Sequence, residues 1–211
     1  MRLASTTEIR TALGYDNIGD IGDIVNAINA ELASTTKQLA ALLRVDSFDM
    51  RERADTFRVG DTPFLDSVPR LRLLLSCGFV EPDTVRVLLG DSVGAIAAGQ
   101  FTEVVPDAVD AERGVIADYH SDYSYRFVQV IYTAGFNDDL DHPGQYLLDD
   151  VPLWLQEAAK LSARIMLGGN PLMTSGDKGA PDTRQFQAQL SQILTPRIRY
   201  VPSALQPIIR E

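Results

Sequence analysis

Apolar residues along this chain follow two rhythms, and the switches between them divide it. Ile21, Ile24, Val25, Ile28, Leu32, Leu39, Leu42 and Leu43 recur every three or four positions, the spacing that gathers side chains on one face of an α-helix. Ser34-Thr35-Thr36 interrupts the stripe and predicts a bend there. A shorter helix precedes it, because Ser5-Thr-Thr-Glu8 has the form of a capping box and Gly14 is the residue type that ends helices. From Phe48 to Phe136 the rhythm becomes alternation, broken by Gly or Pro every several residues. Residues 53–59, 71–75, 84–89, 100–105, 114–119 and 123–133 read as strands, and short strands at this spacing imply a small antiparallel sandwich or barrel. Residues 90–99, rich in Gly and Ala, read as either a hairpin tip or a short helix.

Helical spacing returns over residues 153–167, with Trp154, Ala158, Leu161 and Ile165 on one face and Gly168-Gly169 at the end. Pro152 suits a first helical turn, where a missing N–H costs nothing, and Asp149 and Asp150 face the positive end of that helix. A Gly-rich linker over 172–181 follows, and Asp182 caps a last helix carrying Phe186, Leu190 and Ile193 in register. Beyond Thr195-Pro196 the character changes. Ile198, Tyr200, Val201, Leu205, Ile208 and Ile209 share this stretch with Pro196, Pro202 and Pro207. Proline blocks a helix or a central strand, so an extended arm is expected. Arg197, Arg199 and Arg210 make the arm locally basic. Apolar side chains on such an arm pack onto something, either their own domain or another chain, and adding a strand to a partner's sheet edge is the sharper expectation.

The expected fold is therefore α+β. Residues 1–47 and 150–195 form a helical bundle layer, 48–136 an inserted antiparallel β-sandwich or barrel-like module, and 196–211 an extended C-terminal arm.

Composition narrows the function classes. Hydrophobic residues make up 45% of the 211 and charged ones 23%, enough for a sizeable core. The formal net charge of −10 argues against non-specific binding to nucleic-acid phosphates, which Lys and Arg carry. Cys77 is the only cysteine, which excludes an intramolecular disulfide and a Cys-based zinc site. Beside Leu73, Leu74 and Leu75 it reads as a small buried hydrophobe. No apolar run approaches the roughly 20 residues that cross a bilayer. Met-Arg-Leu-Ala-Ser-Thr-Thr lacks the apolar core of a secretory signal, so synthesis in the cytoplasm is expected.

Candidate chemistry is thin. His120 and His142 both sit in Asp-containing stretches, and Asp139, Asp141 and His142 offer three metal ligands in principle, but EF-hand spacing is missing. A solvated acidic loop is the plainer reading. Asp138-Asp139 and Asp149-Asp150 are adjacent pairs whose side chains point apart, unlike a glycosidase acid and base. There is no Gly-x-Ser-x-Gly elbow, and Gly14, Gly19 and Gly22 do not make a phosphate loop. Trp154 reads as core rather than interface anchor at its helical spacing. Tyr119, Tyr123, Tyr125 and Tyr132 are the candidates for a sugar platform, but Tyr123 and Tyr125 alternate away from Tyr132. The expectation is a non-enzyme without catalytic residues, cofactor or metal.

Two phrases carry a resemblance. Val130-Ile-Tyr-Thr-Ala-Gly-Phe136 closes the β region, and Val151-Pro-Leu-Trp-Leu-Gln-Glu-Ala-Ala159 opens the helix that follows. Together they resemble the head–tail connector (adaptor) proteins of long-tailed double-stranded-DNA bacteriophages. The likeness is close over residues 123–167 and looser before them, and 170–211 match no phrase of that family. The resemblance implies a virion neck protein forming a dodecameric ring beneath the portal. Such a ring joins the capsid to a head-completion or tail protein and lets genomic DNA pass without sequence-specific binding. In that role the arm residues Arg197, Ile198, Arg199, Tyr200, Val201, Leu205, Ile208 and Ile209 are the expected contacts to portal or to a neighbouring subunit. A head-completion or tail-terminator ring is the nearest alternative. A carbohydrate- or protein-binding β-module on a helical stalk, or an enzyme built on the His142 loop, are the alternatives from other classes.

Overall fold

The computed structural model describes residues 1–13, 22–59, 71–106, 108–118, 125–168, 183–199 and 206–210. In chain order the elements are α1 (Thr6–Ala12), α2 (Gly22–Leu43), β1 (Arg51–Arg58), β2 (Leu71–Leu74), β3 (Arg86–Gly90), α3 (Val93–Ala97) and β4 (Thr102–Val104). They continue with β5 (Ala108–Asp110), β6 (Val115–Asp118), β7 (Phe127–Ala134), α4 (Leu153–Leu167), α5 (Thr183–Leu194) and β8 (Ile209–Arg210). The chain is α+β and divides into two compact units. One holds Met1–Leu43 and Phe136–Ile198, the other Arg44–Gly135 and Arg199–Glu211. Of the expected arm, Arg199 and residues 206–210 thus group with the β unit.

In the helical unit, α2 packs on α4, which also receives α1 and α5. Ile28, Leu32, Leu39 and Leu43 are buried as the spacing predicts, while Leu42 stays half exposed. The bend expected at residues 34–36 does not break the helix: α2 is continuous, and Thr36 Oγ1 donates to the Leu32 carbonyl at 2.9 Å. That back-bond satisfies the hydroxyl inside the core.

The capping box is also corrected. Ser5 occupies the N-cap with extended backbone, but its hydroxyl makes no capping bond. Glu8 instead accepts from Lys160 Nζ at 3.0 Å, tying α1 to α4. Gly14, the turn after it and the Asp182 cap lie outside the described residues.

The buried face of α4 matches the expected one only in part. Ala158 and Leu161 are buried as expected, but so are Leu155, Ala159, Ser162, Ala163 and Leu167, whereas Trp154 and Ile165 are half-buried. Pro152 is the N-cap rather than the first helical residue, and its carbonyl accepts from Leu155 and Gln156 N–H. Asp150 accepts from Asn137 Nδ2 at 2.8 Å, which holds the preceding loop. Among the described residues of this unit, Arg164 lies over the Phe186 ring at 4.3 Å and Arg197 over the Trp154 ring at 4.7 Å.

Among the described residues the β unit contains two antiparallel sheets, with strand orders β4-β3-β7-β1-β8 and β2-β6-β5, neither closed into a barrel. Strand β7 is the spine of the first. It pairs with β1 from Arg51↔Ala134 to Arg58↔Phe127 and with β3 from Arg86↔Ile131 to Gly90↔Phe127. Its alternation is regular, burying Val128, Val130, Tyr132 and Ala134.

Gly135 ends β7 for a steric reason. Its φ is +116°, and a Cβ there would sit 2.4 Å from the Asp49 carbonyl oxygen, so no other residue type fits.

The ambiguous stretch at 90–99 resolves as α3, capped by Ser92 Oγ accepting from Ala95 N–H at 3.0 Å. Strand β5 was not expected. It forms a hairpin with β6, in whose turn Asp110 Oδ1 accepts from Arg113 N–H at 3.1 Å.

Candidate functional site

The apolar C-terminal stretch, the strongest functional signal in the sequence, ends as strand β8 against β1. Asp55 pairs with Arg210 and Thr56 with Ile209, and Ile208 N–H donates to the Thr56 carbonyl at 2.7 Å. No further strand lies beyond β8 among the described residues. An edge position tolerates Pro207, because proline costs a ladder only where its missing N–H is needed. Ile208 and Ile209 remain 56% and 38% exposed, so docking on β1 leaves much of their apolar surface in water.

Arg199 behaves differently from the expected arm contact. It is 2% exposed. Its Nε donates to the Arg113 carbonyl at 2.6 Å, and Nη1 donates to the carbonyls of Arg44 at 2.7 Å and Ser76 at 3.2 Å. Nη2 donates to the Leu75 carbonyl. The planar fork of donors suits this, since one guanidinium satisfies four acceptors from three chain segments. Burial pushes its pKa down, opposed by the nearby acidic groups of Cys77, Tyr132, Asp55 and Asp46. Arg199 therefore fixes the start of the tail within its own β unit and leaves the set of residues offered to another chain.

Beneath it lies a buried polar network. Asp55 is fully buried, and its Oδ2 accepts from Tyr132 Oη at 2.8 Å and Ser76 N–H at 2.6 Å. Ser76 Oγ and Tyr132 Oη are 3.0 Å apart, and Cys77 N–H donates to Tyr132 Oη at 3.3 Å. Cys77 Sγ donates to the Ser47 carbonyl at 3.1 Å, which also accepts from Arg53 Nη2 at 3.3 Å. Burial raises the Cys77 thiol pKa, which keeps the sulfur protonated and unreactive.

Burial first, and the Asp55 charge second, push the Tyr132 phenol well above its ordinary value. Between about pH 10, where a free phenol ionises, and the higher folded value, the unfolded chain loses this proton while the folded chain keeps it. Stability from this group is thus complete below about pH 10 and is lost as pH rises from there. Tyr132→Phe should flatten that alkaline limb in urea titrations across the range. An equally steep limb in the variant would contradict the assignment.

The other candidate residues scatter. Arg197 and Ile198 belong to the helical unit, where Arg197 Nη1 donates to the Ile193 carbonyl at 2.9 Å and Ile198 is 39% exposed. Tyr200, Val201 and Leu205 lie outside the described residues, as do His120, Tyr119 and Tyr123. Tyr125 Oη and Thr102 Oγ1 are 2.6 Å apart, while Tyr132 is buried, so these two tyrosines share no exposed platform.

In the helical unit, Arg2, Ser5, Thr6, Asn29, Asp139 and His142 line an open cleft of about 570 Å³. Arg2 is engaged within it, donating to Thr6 Oγ1 at 2.6 Å, to Asn29 Oδ1, and to the carbonyls of Pro143 and Gly144. His142 Nδ1 is 3.0 Å from Asp139 Oδ2, and Asp139 Oδ1 accepts from the Asp141 and His142 N–H groups. Desolvation works against its charge, but these bonds hold the Asp139 carboxyl below its usual pKa. Among the described residues no three His, Cys, Asp or Glu side chains converge as a metal site would require.

Sequence reasoning missed Asp55 and Arg199 as structural centres. A signal for Asp55 existed: alternation places it on the same strand face as Phe57, where a carboxylate must find partners. No protein-family model, curated protein or solved structure matches the chain.

Proposed function

We propose that this chain is a structural virion subunit, a head–tail connector that forms a ring below the portal of a long-tailed phage and lets DNA pass. The observation that carries the reading is the C-terminal edge strand: β8 leaves Ile208 and Ile209 exposed at the rim of a sheet, a surface suited to another protein. The phrases at 130–136 and 151–159 favour the same family. A net charge of −10, multiplied around a ring, disfavours adhesion of passing DNA. In this reading the chain is not an enzyme and uses no cofactor or metal. Its two sheets are the halves of a small sandwich, and its partners are its own copies, portal, and a head-completion or tail protein.

The arm is tested by removing residues 200–211 while keeping Arg199, whose loss would destabilise the β unit for an unrelated reason. The truncated protein should keep its far-UV circular dichroism and lose co-sedimentation with portal rings. The double substitution Ile208→Asp with Ile209→Asp should do the same without exposing the β1 edge. Unchanged portal binding by both variants would overturn the assignment of the arm.

A further inference from the structure

We infer that β8 is exchanged between copies, so that the β1 edge of one subunit receives the C-terminal strand of its neighbour. This rests on the ring reading and names the partner of the arm as a second copy of this chain. Four observations carry it. Among the described residues, β8 pairs with β1 at two positions, Asp55↔Arg210 and Thr56↔Ile209, of the eight that β1 offers. A ladder this short holds its strand weakly. Arg199 is bonded to the carbonyls of Arg44, Leu75, Ser76 and Arg113, none of them on β1. The strand can therefore leave without undoing the anchor.

Seven Cα steps separate Arg199 from Gln206, a contour of at most about 25 Å, so the strand is tethered to the anchor by a connection of appreciable length. Finally, the acceptor is already shaped for this sequence. The Thr56 carbonyl that accepts from Ile208 N–H at 2.7 Å meets an identical donor from the next copy. Exchange of an identical element preserves every bond of the closed chain, and the surface of Ile208 and Ile209 left exposed in one chain becomes available to the new interface. Passed from each copy to the next in one direction, the contact is heterologous and closes a ring.

The test is a pair of cysteines at the Thr56↔Ile209 partners, in a Cys77→Ser background whose fold is checked by circular dichroism. Antiparallel partners place their Cα atoms about 4.5–5.5 Å apart, within disulfide reach. Thr56→Cys protein and Ile209→Cys protein, carrying different tags, are mixed under ring-forming conditions and oxidised. Exchange predicts a mixed-tag disulfide dimer, and in the Thr56→Cys/Ile209→Cys double variant a shift from intrachain product in dilute protein to interchain product in rings. Rings whose double variant crosslinks within single chains, with no mixed-tag product, would overturn the exchange while leaving the connector reading intact. Absence of rings, together with purely intrachain crosslinks, would sink both.

Discussion

Replacing Arg199 by alanine is expected to lower the stability of the β unit by about 3–5 kcal/mol, because it strips a charged donor set from buried acceptors. The carbonyls of Arg44, Leu75, Ser76 and Arg113 all bond to this guanidinium. Each carbonyl left dry and unpaired costs about 1–3 kcal/mol, softened where water enters. The melting midpoint should fall by roughly 10 °C for a chain of this size. Arg199→Lys is the informative control. It keeps the charge but replaces a planar fork by a point donor, and should recover less than half of the loss. Urea unfolding followed by tyrosine fluorescence measures both. A loss below about 1 kcal/mol for the alanine variant would mean that the fork is ornamental.

Asp55→Ala should have a comparable effect, about 3–5 kcal/mol, by removing the buried carboxylate beside Arg199. Tyr132 Oη and Ser76 N–H would both lose their acceptor, now at 2.8 and 2.6 Å. Asp55→Asn keeps an acceptor oxygen and should cost less. Because Tyr132 and Asp55 share one network, the double variant Asp55→Ala/Tyr132→Phe should be less destabilised than the sum of the singles. Simple additivity in a double-mutant cycle would show that the two act separately.

The parts of the fold that were legible in the sequence are those with a strong period. The stripe Ile28, Leu32, Leu39 marks α2, and the alternation Val128, Val130, Tyr132, Ala134 marks β7. The buried face of α4 was legible only at Ala158 and Leu161, because Ala159, Ser162 and Ala163 pack through small side chains that add little to a hydrophobic pattern dominated by Trp154. Strand β5 holds three residues, too few for any period to register. At β8 the prolines argued only against a helix or a central strand, and Pro207 precedes the ladder on a sheet edge and leaves its bonds intact. The apolar character of the tail was visible, but the separate fate of Arg199 was not. Which basic residue of a basic stretch finds four carbonyls depends on turns more than a hundred positions away in sequence, such as Leu75.

The function proposed here stands or falls on assembly. Electron microscopy of the purified protein mixed with portal rings tests it most directly. A second ring stacked coaxially on the portal, with the C-terminal strand at a subunit boundary, is the predicted image. Bare portal rings beside dispersed single copies, at concentrations well above those of an ordinary specific interface, would contradict it.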